Sequence, residues 1–295
     1  MKAVVLHEVG GPLAIEEVQE PDGAVLEVRA AGVNFADVLV RRGLYPQMPE
    51  LPHVLGSEVA GELDGRHVLA YTVGAGGYAE RVAVNPEWTF ELPSAASFAA
   101  GASFLTTYLT AYATLQRSRN VSSVLVHAGS GGVGTAAIQL WKHAGATVYA
   151  TASTAEKRDV AQRTGADHVL PYDAIDDLRV DLVVDPVGGE LFTRSLPLLN
   201  AGGAIAAIGF TAGTWQDPSV QWLVGRNVSV IGIYLGRLLR LDPKLVYGWT
   251  HELLGLWEKG AIDPVVGATF PLAEAGAAHE LIESRRHVGK VVLEP

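Results

Sequence analysis

The residues of this chain whose types and spacing speak most directly to chemistry are Gly129-Ser130-Gly131-Gly132-Val133-Gly134. They follow an apolar run, Val124 to Val126. A helix-forming segment and a second apolar run, Thr147 to Ala150, come after them. Strand, glycine-rich turn, helix and strand in that order make a dinucleotide-binding unit. Gly129 permits the tight bend after the strand, Gly131 leaves the backbone open to a pyrophosphate, and Gly134 lets the helix lie close to the sheet. The pyrophosphate then rests on the helix N-terminus, where free N–H groups and the helix dipole favour an anion. All six turn residues, Gly129 to Gly134, are therefore read as cofactor-binding.

The end of the second strand selects the nucleotide. An NAD site places Asp or Glu about 20 residues after the first glycine, on the ribose 2′-hydroxyl. Here the region reads Tyr149-Ala150-Thr151-Ala152-Ser153-Thr154, without a carboxylate, and Lys157 and Arg158 follow. A carboxylate would repel a 2′-phosphate by roughly 4 kcal/mol at about 4 Å and an effective dielectric near 20. Its absence, with a hydroxyl and two cations in its place, points to NADPH. Lys157 and Arg158 are also compatible with solvated charges on a helix face.

These residues need a scaffold, and 295 residues suffice for two domains. A 48% hydrophobic content with 18% charged residues describes a folded chain. The net charge of −10 argues against nucleic acid or an anionic membrane as partner. The chain has no cysteine, which excludes disulfides, thiolate metal sites and thiol catalysis and suits a reducing cytoplasm. No run approaches the 18–20 apolar residues of a membrane helix. The histidines form no HExxH pair, so no metal site is expected. A GxSxG elbow fails at Ser130, because Ala128 stands in its first position.

Residues 1 to about 94 are short β-like runs broken by Gly, Pro and Asp, with one helix near Phe35 to Arg42; they predict an irregular all-β domain. Ala95 to Leu115 reads as helical. Strands are then expected at 123–126, 147–151, Val180 to Val184, Ala204 to Gly209 and Val228 to Tyr234, with helices such as Lys157 to Thr164 and Glu190 to Leu199 between them. This alternation predicts an α/β fold with a parallel sheet covered on both faces. Pro243 to Lys259 is amphipathic and helical. The tail from Phe270 reads strand, helix, strand, and is expected to return to the first domain.

Gly32-Val33-Asn34-Phe35-Ala36-Asp37, Arg42-Gly43-Leu44-Tyr45-Pro46, Gly56-Ser57-Glu58-Val59-Ala60-Gly61, Gly77-Tyr78-Ala79-Glu80, Leu109-Thr110-Ala111-Tyr112, the glycine-rich turn, Asp185-Pro186-Val187-Gly188-Gly189 and Gly289-Lys290-Val291-Val292-Leu293 occur in this order. Over its full length the chain resembles the quinone oxidoreductases, the zinc-independent branch of the medium-chain dehydrogenase/reductase superfamily. The resemblance implies a GroES-like, irregular β-barrel catalytic domain interrupted by a Rossmann-like, doubly wound parallel-sheet domain, with the active site in the cleft between. The expected division is residues 1–106, a nucleotide domain over 107–242, and a return segment over 243–295. The resemblance also implies NADPH and a homodimer joined through Val228 to Tyr234. Zinc-dependent relatives carry Cys in the place of Asn34 and His in the place of Ser57, so hydride delivery to an electron-poor acceptor is favoured over alcohol oxidation.

By position, the resemblance assigns Thr110 to the threonine beside the nicotinamide, with Thr106 as the other candidate. Lys157 and Tyr172 match the pair that holds the 2′-phosphate, with Ser153 as a third member. Asn34 and Tyr45 match residues that face the acceptor: Asn34 as hydrogen-bond partner, Tyr45 as donor of a hydrogen bond or proton. Asp185 stands at a strand end where such sheets bind ligands, and also reads as a turn cap. The segment Gly61-Glu62-Leu63-Asp64-Gly65-Arg66-His67-Val68 is shorter than in relatives, which opens the acceptor side. The function implied is hydride transfer from NADPH to a quinone. Alkenal or enoyl-thioester C=C reduction, and NADPH binding without turnover, are the alternatives.

Overall fold

In a computed structural model that describes residues 1–72 and 76–295, the chain divides into two units: Met1–Thr106 with Asp263–Pro295, and Thr107–Ile262. The return to the first unit therefore falls at Asp263, not at 243. Helix Pro243–Glu258 stays in the second unit, where it buries Val246, Trp249, Leu253 and Trp257 at helical spacing. Its amphipathic pattern is genuine, but the pattern alone does not say which core receives the apolar face.

The first unit is organised by strand Val25–Val33. Its N-terminal half alternates between buried and exposed residues, and its last four residues are all buried. On one side it pairs antiparallel with Lys290–Glu294, so that Val33 faces Val291. On the other it pairs antiparallel with Glu58–Leu63, so that Ala31 faces Val59. These strands belong to a seven-stranded sheet that also holds Val266–Pro271, Arg66–Tyr71, Thr89–Glu91 and Arg81–Ala83. A smaller sheet joins Leu13–Glu17, Lys2–Leu6 and His53–Val54. Val4, Leu26, Val38, Val59, Tyr78 and Leu293 are among the side chains of their common core. Helix Phe35–Arg41 follows the central strand directly, and Ala275–Glu283 is a second helix of this unit.

The second unit is a six-stranded parallel sheet in the order His168–Leu170, Thr147–Thr151, Ser123–Val126, Val180–Asp185, Leu199–Ala207, Ser229–Gly232. The chain runs outward in both directions from the central pair Ser123–Val126 and Val180–Asp185. That reversal is the switch point outside whose carboxyl ends such sheets bind ligands. The glycine-rich turn starts at this point.

Several boundaries move. The helical stretch expected over 95–115 is two helices, Phe98–Gly101 and Leu105–Arg117. The fifth strand begins earlier than expected, at Leu199. The last strand is only Ser229–Gly232, because Asn227 takes a left-handed conformation to end helix Val220–Arg226 and Tyr234 starts helix Leu235–Leu241.

Candidate functional site

Helix Gly132–His143 opens directly from the glycine-rich turn with no side-chain cap. The turn separates its glycines by role. A Cβ on Gly134 would lie 2.2 Å from the Ala128 carbonyl oxygen and 2.9 Å from Gly129 Cα, so the helix packs on the turn only without one. A Cβ on Gly131 would meet nothing closer than 3.4 Å, and Gly131 keeps a negative φ of −82°. Packing within the chain does not demand glycine at 131.

The 2′-phosphate candidates rise from the carboxyl ends of two adjacent strands, with Thr151 opposite Leu170. Thr154 caps helix Ala155–Thr164 through its hydroxyl, which accepts from the Lys157 N–H at 3.2 Å. Lys157 thus sits in the helix's first turn, where the dipole disfavours a cation and favours the anion a cation would hold. Partial burial lowers its pKa, opposed by Glu156. Ser153 is exposed beside the cap. Arg158 folds back toward the carbonyls of Ala152 and Ser153. Tyr172 follows the neighbouring strand and packs against the ring of His127 at 6.2 Å.

His127 ends the first strand, fully buried. Ser195 Oγ donates to the Leu191 carbonyl, so it accepts from His127 Nε2; Nδ1 accepts from Thr151 Oγ1 at 2.8 Å. The ring is held as one neutral tautomer, and burial, with Arg194 second, lowers its pKa to about 3. Asp185 behaves as the turn cap: Oδ1 accepts from the N–H groups of Val187 and Gly188. Its Oδ2 is buried without a partner, and burial raises its pKa.

In the first unit, Asn34 precedes helix Phe35–Arg41. Its backbone N–H donates to Asp37 Oδ2 at 2.8 Å. Its side chain does not cap the helix. Nδ2 donates to Glu58 Oε1 at 3.0 Å, and Oδ1 accepts from Lys290 Nζ at 2.5 Å. Lys290 also bonds Glu58 Oε1. Asp37 accepts from Tyr78 Oη at 3.0 Å, and Tyr78 Oη in turn meets His279 Nε2 at 3.2 Å. Burial pushes Asp37 up to about 6 against these bonds, raises Tyr78, and lowers His279 to about 3 with Arg41 as the lesser cause. Tyr45 is half-buried in the segment after the helix. Thr106 and Thr110 lie one turn apart on helix Leu105–Arg117; the Thr106 N–H is taken by Glu58 Oε2 at 2.9 Å, and Thr110 is half-buried.

The sequence matches two families, described as "Alcohol dehydrogenase GroES-like domain" over residues 20–68 and "Zinc-binding dehydrogenase" over residues 164–293. The Synaptic vesicle membrane protein VAT-1 homolog of Homo sapiens is 33% identical, over 93% of this chain and 79% of that protein. The Quinone oxidoreductase of Rattus norvegicus is 30% identical, over 99% of this chain and 97% of that one. The quinone oxidoreductase of Thermus thermophilus, solved also in complex with NADPH, is 37% identical with a TM-score of 0.90 and complete coverage of both chains. The chain belongs to the quinone oxidoreductase family of medium-chain dehydrogenases/reductases. The expected fold, a GroES-like β domain and a doubly wound parallel-sheet domain, is the one observed.

The zinc in one family description does not fit the donors present in this chain. Asn34 and Ser57 offer a neutral amide and a hydroxyl instead of a thiolate and an imidazole. The nearby carboxylate, Glu58, is already bound to the Lys290 ammonium. Among the described residues no group of His, Cys, Asp and Glu is placed to hold a metal ion.

Glu58, Lys290, Asp37, Tyr78, His279 and His127 were not singled out from the sequence. One signal was available for two of them. Glu58 and Lys290 are charged residues set directly against apolar strand runs, Val59-Ala60 and Val291-Val292-Leu293, where a charge survives only if paired.

Proposed function

We propose that this protein is an NADPH-dependent quinone oxidoreductase that works without zinc. The observation behind this reading is the subsite at the ends of strands Thr147–Thr151 and His168–Leu170. It lacks the carboxylate an NAD site needs and has Lys157 in the first turn of a helix. NADPH, when bound, supplies the hydride. The glycine-rich turn and the uncapped helix Gly132–His143 receive the pyrophosphate, with Ser130, Gly132 and Val133 contributing through the backbone. Lys157, Ser153 and Tyr172 hold the 2′-phosphate. Thr110 packs beside the nicotinamide. Asn34 donates an amide N–H to a quinone carbonyl, and Tyr45 supplies a hydrogen bond or proton to the reduced oxygen. Positioning accounts for much of the rate.

The decisive assay follows NADPH oxidation by metal-free protein with a panel of quinones, beside enals and an enoyl-CoA, and repeats it with NADH. Turnover with quinones and preference for NADPH are expected. Turnover confined to C=C substrates would move the function to alkene reduction, and silence with NADPH bound would remove the catalytic reading.

The same reading includes a homodimer. Ser229–Gly232 is the edge of the six-stranded sheet, and Val220, Val224 and Leu241 near it in sequence expose most of their surface. An open edge flanked by apolar side chains is suited to pairing with a second copy. Val230→Lys should convert a dimer to a 31.2 kDa monomer in light scattering. An unchanged mass would exclude this edge. We place the protein in the cytoplasm, where NADPH is available as reductant; cell fractionation tests that assignment. No helix among the described residues is long and apolar enough to cross a membrane.

A further inference from the structure

The registers of three strands bring Asn34, Glu58 and Lys290 together from distant parts of the chain. Val33 faces Val291 in an antiparallel pair, which sets Asn34 across from Lys290. Ala31 faces Val59, which sets Gly32 across from Glu58. Gly32 clears the space the carboxylate occupies: a Cβ there would lie 2.9 Å from Glu58 Cγ and 2.0 Å from the Ala102 carbonyl oxygen. Glu58 is fully buried, and Lys290 and Asn34 are 4% and 7% exposed.

An asparagine amide has an accepting end and a donating end of nearly the same shape. Here each end meets an opposite charge: the oxygen meets the Lys290 ammonium, the nitrogen meets the Glu58 carboxylate. Rotating the amide by half a turn would set NH2 against the ammonium and C=O against the carboxylate. Both contacts would become repulsive in a buried setting, where charge is poorly screened. The ion pair therefore selects one amide orientation, and in it the nitrogen keeps one hydrogen not given to Glu58.

We propose that Lys290 is a positioning residue for the reaction: with Glu58 it fixes the Asn34 amide so that an N–H is offered to the acceptor. The acceptor class this selects is one that presents an oxygen lone pair, as a quinone or enone carbonyl does. The inference rests on the reading that Asn34 faces the acceptor. Glu58 is the poorer probe, because its second oxygen also holds the Thr106 N–H at the start of helix Leu105–Arg117.

The test is a double-mutant cycle on quinone reduction, with Lys290→Met, Asn34→Ala and the two combined. Each variant is checked for melting temperature and NADPH affinity. Each single substitution should lower kcat/KM for the quinone by about tenfold, the worth of one hydrogen bond. The fall should lie in kcat, with NADPH affinity held. In the Asn34→Ala background, Lys290→Met should cost nothing further. Lys290→Arg, which retains the charge, should recover part of the rate. A Lys290→Met loss that persists undiminished without Asn34 would show a merely structural role and overturn the proposal, as would full activity in Lys290→Met. Should Asn34→Ala itself leave kcat/KM untouched, the reading of Asn34 as acceptor-facing fails first, and the proposal with it. If Lys290→Met does not fold, Lys290→Gln, which removes the charge and keeps a polar end, enters the cycle in its place, with the same expected and overturning outcomes.

Discussion

Lys157 is the residue on which cofactor choice turns. A cation in the first turn of helix Ala155–Thr164 gains nothing from that helix, since the dipole is positive there, and partial burial works against its charge. A 2′-phosphate reverses both penalties. The backbone N–H at 157 is already taken by the Thr154 cap, so the ammonium is the group of Lys157 that would meet a 2′-phosphate. Lys157→Ala should weaken NADPH binding about tenfold or more, in line with the 1.4 kcal/mol that each factor of ten represents. It should leave NADH nearly unchanged, since NADH has no phosphate there. Isothermal titration with both cofactors measures this directly, and equal losses for the two would remove Lys157 from the phosphate subsite. Arg158, folded back toward the Ala152 and Ser153 carbonyls, should matter less when truncated.

At the scale of elements, the turn and helix that follow Val126 separate packing from binding. Gly134→Ala drives a methyl into the Ala128 carbonyl at 2.2 Å. Neither backbone can yield without lifting the helix, so a stability loss of about 1–3 kcal/mol is expected. Gly131→Ala meets nothing nearer than 3.4 Å and needs no positive φ. It should melt like the parent yet bind NADPH poorly. Thermal melts with and without cofactor distinguish the two. A Gly131→Ala protein that binds NADPH normally would mean the pyrophosphate does not approach that backbone. This turn was legible in the sequence because its determinants lie within a few residues of one another. The Asn34–Glu58–Lys290 group was not, because its members are 24, 232 and 256 residues apart and meet only through strand register. Helix Val220–Arg226 escaped for a different reason. Its apolar residues Val220 and Val224 face outward, so no core-facing period marks it.

For the whole molecule, each unit contains, among the described residues, one fully buried histidine, and the two should contribute to how the protein responds to acid. His127 in the second unit and His279 in the first both titrate near 3 when folded, against 6.5 when unfolded. As pH falls, the unfolded chain takes up these protons first. The stability they contribute is complete above pH 6.5 and is lost from about 6.5 down to about 3. At pH 5 the loss is about 2 kcal/mol for each imidazole, at 1.36 kcal/mol per pH unit. Asp37 acts in the opposite sense. Its folded carboxyl titrates at about 6 against 3.8, so the native state holds the extra proton, and its contribution, present below 3.8, is lost as pH rises through 6. Going from pH 7 to 5 it returns about 1 kcal/mol. Asp37 shares the first unit with His279, linked to it through Tyr78, and so offsets part of the loss there. In the second unit Asp167 and Asp181 are both lowered, while burial raises Asp185, which acts in the same sense as Asp37. His127 should outweigh Asp185, so that the second unit weakens more than the first between pH 7 and 5. Peptide-resolved hydrogen exchange at the two pH values, corrected for intrinsic rates, should show protection falling more in strands Ser123–Val126 and Val180–Asp185 than in Val25–Val33 and Glu58–Leu63. His127→Gln, which keeps a hydrogen-bonding side chain without a titrating ring, should abolish that extra loss. Equal loss in both units, or an unchanged slope in His127→Gln, would refute the assignment of acid sensitivity to these two imidazoles.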